Sequence, residues 1–273
     1  MKFNNHPRDN IVLIKGAGEK ASAVAHHLYQ ASLRKIVMTD LVKPRAERRG
    51  VSFCEAIIDG RKEVCGVVSQ RVDSSIEMIH HCWAEGMIPI LADPKIEILG
   101  VLKPQIFIDA VMAKKNTGTT IHCAPLVIAL GPGFTTGKDA HLVVETNPHS
   151  RLLGRMISTG QADENSGIPT SIAGFTVERI IESPANGILH SLRDIGDEVK
   201  ENEVIAYVNR RNLKANMSGI IWGLVRNGVK VKVGQKIGDL DPRGEKKFCF
   251  EITPQATIIA GGVREGIFRS IKF

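Results

Sequence analysis

Short apolar runs, each closed by glycine or an acidic residue, set the rhythm of the first half of the chain. Residues 11–14 (Ile-Val-Leu-Ile) have the length and β-branched content of a strand, and Lys15-Gly16-Ala17-Gly18 follows at once. Apolar residues then recur at Ala21, Val24, Ala25 and Leu28, the i, i+3, i+4, i+7 spacing of one helix face. Residues 36–39 predict a second strand that ends on Asp40. Residues 63–72 read as a strand, Ser74 and Glu77 match a capping box, and Ile76, Ile79 and Trp83 mark a helix. Residues 87–91, 106–108 and 126–130 are further strands. This alternation predicts an α/β fold with a Rossmann-like doubly wound parallel sheet, whose ligands sit at the carboxyl ends of the strands.

Two glycine-rich stretches fall at such ends. The first spells G-x-G-x-x-A with Gly16, Gly18 and Ala21, and Asp40 lies 22 residues past Gly18. Strand, glycine turn, helix, strand and acid in that order form a dinucleotide fingerprint: the helix N-terminus faces a pyrophosphate and the acid a ribose hydroxyl. A crevice of this type put to another use is the competing reading. Lys15 and Lys20 flank the turn, and Lys43, Arg45, Arg48 and Arg49 follow Asp40; they suit phosphate or form a solvated basic face. The second stretch, residues 126–147, reads LVIALGPGFTTGKDAHLVVETN. Gly131, Gly133 and Gly137 allow a sharp turn and an anion nest, with Thr135, Lys138, Asp139 and Asn147 as polar partners. The bland alternative is a glycine-rich hairpin with Lys138 solvated. It is not a Walker A loop, because Pro132 stands where the first glycine belongs and Asp139 replaces the magnesium-binding hydroxyl.

Beyond a Gly/Ser/Asn-rich linker at residues 160–174, the pattern changes to short strands and glycine turns. Gly187, Ile188, Leu192, Gly196, Val199, Lys200 and Ile205 repeat as Gly219, Ile220, Leu224, Gly228, Val231, Lys232 and Ile237, an offset of 32 residues. Two such halves predict a small all-β barrel-sandwich hybrid, and the pattern resembles the biotinyl/lipoyl hammerhead. The connection between the halves, Arg210-Arg211-Asn212-Leu213-Lys214-Ala215, lacks a lysine at the expected tip, so neither biotin nor lipoate is expected. The expected domains are therefore 1–174 (α/β, including the 131–139 loop), 175–245 (β), and a C-terminal segment, 246–273, that returns to the α/β domain.

The composition adds boundaries. No apolar run reaches the roughly 20 residues of a membrane span, and the polar start, residues 1–10, does not read as a signal peptide. Five scattered cysteines without C-x-x-C spacing predict a reducing, cytoplasmic setting and no structural metal; His80-His81-Cys82 and His122-Cys123 also lack ligand spacing. The net charge of +7 favours an anionic partner, but with 5% aromatic residues and no basic stripe it does not indicate nucleic acid. A phosphate-bearing small molecule or an acidic protein fits better. Homo-oligomerisation is left open.

K-G-A-G near the start, G-P-G-F-T-T-G-K-D-A-H-L-V-V-E-T-N with Leu153-Gly154-Arg155, the repeated β pattern, and D-P-R-G followed by A-G-G-V-R-E together resemble the accessory proteins of selenium-dependent molybdenum hydroxylases. The likeness runs over nearly the whole chain. It departs from that pattern at Glu19-Lys20-Ala21-Ser22, at Asp40, and at Pro148-His149-Ser150. The resemblance implies a maturation factor for such a hydroxylase, with a hydroxylase subunit as partner and a dinucleotide or molybdopterin-type cofactor as ligand. Phosphates would be held by the turn at Gly16 and the loop at Gly131, and Glu145 with Asn147 would bond a polar ring. The alternatives are an NAD(P)-dependent oxidoreductase with a β-barrel lid and a non-catalytic docking scaffold. For the former, spacing picks out no general acid or base among His122, Lys138, His141 and Glu145.

Overall fold

The computed structural model describes Phe3 and residues 7–271; part of the polar start expected at residues 1–10 lies outside the described residues. The chain divides into two compact units. The first takes the residues up to Pro44, Phe53–Ser166 and those from Ile252 onward, and the second takes Arg45–Ser52 and Gly167–Glu251.

The first unit is built on one nine-stranded sheet. Its strands are β1 (Val12–Lys15), β2 (Ile36–Asp40), β3 (Arg61–Val64), β4 (Val67–Arg71), β5 (Ile88–Ala92), β6 (Ile106–Asp109), β7 (Leu126–Leu130), β8 (Leu142–Val144) and β9 (Met156–Ile157), in the order β3-β4-β5-β2-β1-β6-β7-β8-β9. Helices α1 (Glu19–Gln30), α2 (Ala56–Asp59), α3 (Ile76–Ala84), α4 (Ile98–Leu102) and α5 (Pro254–Ser270) belong to the same unit. Residues of β1, β6 and β7 are buried without interruption, which is why their sequences read as solid apolar runs rather than alternating ones. One face of the sheet buries Leu13, Val37, Phe107 and Val127 against Ile79 and Ile98. On the other, α1 packs on α5, and α5 reaches β7, β8 and β9. Gly262 of α5 permits that approach, because a Cβ there would stand 1.9 Å from the carbonyl oxygen of Gly154.

The sheet is not the parallel, doubly wound one expected. From β4 to β8 in that order each adjacent pair of strands is parallel, but β3–β4 and β8–β9 are antiparallel, so the sheet is mixed. The run read as one strand at residues 63–72 is a hairpin. Cys65 and Gly66, both at positive φ (48° and 80°), form its two-residue turn. No helix joins β6 to β7 or β7 to β8, whereas a doubly wound fold carries one in each crossover. The polar, glycine-punctuated composition of residues 110–125 and 131–141 explains this. Met112 and Lys114 take left-handed φ angles of 60°, which no helix tolerates. The capping residue of α3 is Ser75, whose hydroxyl accepts from the Met78 amide at 3.3 Å.

The second unit is likewise not the single barrel-sandwich hybrid expected. It holds two four-stranded antiparallel sheets made from β10 (Ile180–Glu182), β11 (Gly187–Ser191), β12 (Glu198–Val199), β13 (Val204–Val208), β14 (Arg211–Lys214), β15 (Gly219–Leu224), β16 (Lys230–Val231) and β17 (Lys236–Asp241). Their orders are β10-β17-β15-β12 and β14-β13-β11-β16. The 32-residue offset carries β10 onto β14, β11 onto β15, β12 onto β16 and β13 onto β17, so each sheet draws two strands from each half of the repeat. Leu189, Ile205, Val208, Ile221, Leu224 and Ile237 fill the core. The tip between β13 and β14 is Asn209-Arg210, both at positive φ, and Lys214 pairs with Val204 at the far end of β14.

Arg48 explains why residues 45–52 join this unit. Its guanidinium lies 3.9 Å over the Trp222 ring and donates to the backbone carbonyls of Trp222, Cys249, Phe248 and Glu251. Arg49 donates to the carbonyl of Leu224 at 2.7 Å. These two bases therefore tie backbone together here, and the solvated basic face holds for neither.

Candidate functional site

The register of the first unit aligns the carboxyl ends of four adjacent strands. Lys15 lies level with Thr39 and Asp109, and Asp109 with Ala129, so the residues that follow β2, β1, β6 and β7 share one rim. Gly16 opens that rim at φ +97°, and a Cβ on it would come within 3.0 Å of the Ala110 carbonyl group. Both the angle and the close approach call for glycine. Gly18 is the N-cap of α1, and no side chain caps the first turn. The leading N–H groups of that helix consequently keep the partial positive charge that favours an anion. Glu19, in the same turn, accepts from Thr253 Oγ1 and Lys20 Nζ, both at 2.8 Å. Ala21 is fully buried on the packed face of α1, where its small side chain serves packing.

Asp40 reaches back into the turn. Its Oδ2 accepts the Ala17 amide and its Oδ1 the Leu41 amide, each at 2.7 Å. Burial pushes its pKa up, and the two amide bonds only partly offset that. Each carboxylate oxygen retains a lone pair for a ribose hydroxyl.

Lys15 takes a different place from the solvent-facing phosphate contact its position implied. Its ammonium is buried, bonded to Asp109 Oδ2 at 2.9 Å, Thr117 Oγ1 at 2.7 Å and Thr119 Oγ1 at 3.2 Å. Asp109 Oδ1 accepts the Val111 amide at 3.2 Å. This pair fastens the 110–119 connection to the ends of β1 and β6. Asn116 extends the tie, donating to Thr119 O and Asp139 Oδ1 while its own Oδ1 accepts from Gly118 and Thr119. The exposed Lys114 and Lys115 are carried on this connection. Sequence reasoning passed over both, and the available signal was the run Lys114-Lys115-Asn116-Thr117-Gly118-Thr119-Thr120 between two strands.

The loop after β7 is a crossover between parallel strands, so the hairpin alternative fails. Its glycines shorten that crossover. Gly133, at φ +95°, backs onto Lys115, whose Cα would lie 2.5 Å from an added Cβ. Asp139 Oδ2 accepts the Thr135 amide at 2.8 Å, and Thr135 Oγ1 accepts from Gln161. Gly131 donates to Val144 O, and Gly137 to Ala140 O. Gly137 and Lys138 are left exposed, with open space beside Gly137. Asn147 donates to Glu164 O and accepts from the His149 amide, and so closes its own turn.

The candidate acid/base groups do not converge. Glu145 is fully buried, its Oε1 accepting the amides of Thr146 and Asn147 at 2.7 and 2.6 Å and its Oε2 that of Asp163 at 2.7 Å. His141 precedes β8 and Glu145 follows it, so about 13 Å of strand separates them. His141 Nδ1 accepts the Val127 amide at 3.0 Å, and burial, then the neighbouring His122, holds its pKa below the ordinary imidazole value. The fold thus prefers the neutral ring. Its contribution to stability is complete above about pH 6.5 and is lost as pH falls below that value. His141→Asn keeps an acceptor but cannot titrate. Urea midpoints taken from about pH 7.5 to pH 5 should therefore fall more steeply for the wild type than for the variant. Parallel curves would remove His141 as a cause. Asp93 caps the start of α4, accepting from Glu97 and Ile98 at 3.0 Å. Among the described residues no group of three or more His, Cys, Asp or Glu is placed to hold a metal ion. No helix there is long and apolar enough to cross a membrane.

No known protein family's sequence profile matches the chain. It is 43% identical over 264 residues to the uncharacterized protein YqeB of Escherichia coli K12, covering 96% of this chain and 48% of that protein. The chain thus spans about half the length of the curated relative it matches. Similar solved structures include an aspartoacylase family protein from Mesorhizobium loti, with a TM-score of 0.27, 12% identity and 85% of both chains covered. Another is the ectoine utilization protein EutE (DoeB) from Ruegeria pomeroyi, with a TM-score of 0.26, 10% identity and 85% of both chains covered. A succinylglutamate desuccinylase/aspartoacylase from Rhodobacter sphaeroides scores 0.24 at 11% identity, again over 85% of both. At such scores these structures lend this chain neither a fold nor an activity.

Proposed function

We propose that the carboxyl-end rim of the first unit binds the phosphates of a pyrophosphate-bearing ligand, and that the chain serves in the cytoplasm as an accessory factor for a selenium-dependent molybdenum hydroxylase. One observation carries the binding reading: the uncapped amino end of α1 opens behind Gly16-Ala17-Gly18 on the rim that also presents Lys114, Lys115 and Lys138, all exposed. Backbone N–H groups and a helix dipole favour an anion, and three exposed ammonium groups raise its local concentration. Asp40 supports a nucleotide over free phosphate, because its spare lone pairs suit a ribose hydroxyl. The hydroxylase role rests on the motif resemblance alone, and with it the choice of a molybdopterin dinucleotide as ligand.

Titration of the purified chain with molybdopterin cytosine dinucleotide, NAD and NADP tests this. Saturable binding of the molybdopterin compound, stronger than that of either nicotinamide nucleotide, supports the reading as stated. Preference for NAD or NADP overturns the hydroxylase role, and failure of all three to bind overturns the site.

A further inference from the structure

A depression lies at the opposite end of the same sheet. Its volume is about 620 Å³, and it is lined by residues 99–100, 103–104, 121–125 and His141. These residues come immediately before β6, β7 and β8, so the depression sits at the amino ends of the strands, whereas the glycine turns follow their carboxyl ends. One strand of four or five residues separates the two, roughly 13–17 Å. The depression is therefore separate from the phosphate-binding rim.

The lining has a definite chemistry. Leu99, Pro104, Ile121, Ala124 and Pro125 are apolar, whereas Lys103, His122, Cys123 and His141 are polar or ionisable. Neither Asp nor Glu is among the lining residues, so the ammonium of Lys103 meets no carboxylate there. His141 spends Nδ1 on the Val127 amide, which leaves its Nε2–H as a donor. Lys103 takes φ +46° at the C-terminal cap of α4, a left-handed angle uncommon for a non-glycine residue. Pro104 and Pro125 offer no backbone N–H, and the amides of Leu99 and Gly100, in the first turn of α4, already bond the carbonyls of Ile96 and Glu97, so a multiply charged phosphate lacks a cradle.

We propose that this depression is a binding site for a small organic carboxylate: a monoanion whose apolar body packs on Leu99, Ile121 and Pro125 and whose carboxylate meets Lys103 and the donor of His141. The volume lies within the 300–1,000 Å³ range of small-molecule sites, with a mostly apolar wall and few polar groups.

Cys123, half-buried in the lining, and Cys65, exposed elsewhere, make the test direct. The full chain is treated with iodoacetamide, and labelling of each cysteine is followed by peptide mass spectrometry with benzoate, its neutral analogue benzyl alcohol, or inorganic phosphate present. Benzoate should slow Cys123 labelling saturably and leave Cys65 unchanged, while benzyl alcohol and phosphate protect far less. Lys103→Asn removes the charge and suits the left-handed angle, so the fold is kept; it should weaken benzoate protection about fivefold, the size of one solvent-screened ion pair. Absence of saturable protection, equal protection by benzyl alcohol or phosphate, or undiminished protection in Lys103→Asn would each overturn the assignment.

Discussion

Replacing Lys15 with methionine is expected to lower the free energy of unfolding by about 3–5 kcal/mol, because it strands the buried carboxylate of Asp109. The two side chains are 9% and 2% exposed, and Thr117 and Thr119 complete the ammonium's shell. Removing one charge of such a pair costs far more than the pair contributes over an apolar replacement. The double variant Lys15→Met/Asp109→Leu should therefore recover most of the loss. Urea denaturation at constant slope measures both. A loss under about 1 kcal/mol for the single variant, or a double variant no better than the single, would contradict the locked pair. The same change would also loosen the 110–119 connection, so Lys114 and Lys115 would lose their fixed place on the rim.

Glu145→Ala is the second large expectation. Three backbone amides, those of Thr146, Asn147 and Asp163, lose their acceptor in one step. The Thr146 bond is buried and the other two are part-buried, so with about 1–3 kcal/mol for a buried unpaired donor and less for one that reaches water, a total of about 2–4 kcal/mol follows. For a unit of this size that is a fall in Tm on the order of 10 °C. Glu145→Gln, which keeps the shape and one carbonyl oxygen, should lose less. Hydrogen exchange at the Asp163 amide should speed up in the alanine variant. If the Tm stays within about 2 °C of wild type, Glu145 is not the clasp described, and a place for it in catalysis reopens.

How much of this was legible beforehand depends on the kind of residue. The strands at residues 11–14, 36–39 and 126–130 could be read because strands buried on both faces are short, solid apolar runs rich in β-branched residues and bounded by glycine or acid. The glycine turn could be read because helix periodicity starts directly after it, and the 32-residue repeat because it places small and branched residues in strict register. Strand direction could not. An apolar run of five residues does not say whether its partner runs parallel or antiparallel, and so the edges β3–β4 and β8–β9 were missed. Nor does spacing reveal what a polar side chain does once buried. Glu145 and Lys15 look like chemistry in sequence but hold backbone in place, and Arg48 donates to carbonyls more than 170 residues away along the chain. The exposed Lys114 and Lys115 were passed over for the opposite reason: a connection without periodicity offers no pattern on which to place them.

The central claim, that the rim at Gly16 holds phosphate, is tested most directly by calorimetric titration with inorganic pyrophosphate at low ionic strength. The wild-type chain is compared with Lys114→Gln/Lys115→Gln/Lys138→Gln, three exposed substitutions that leave the packed turn untouched. The account predicts one saturable site in the wild type, weakened about tenfold or more in the triple variant and by added salt, as expected for several screened charges acting together. Equal affinity in both proteins, or no saturable binding in the wild type, would contradict it.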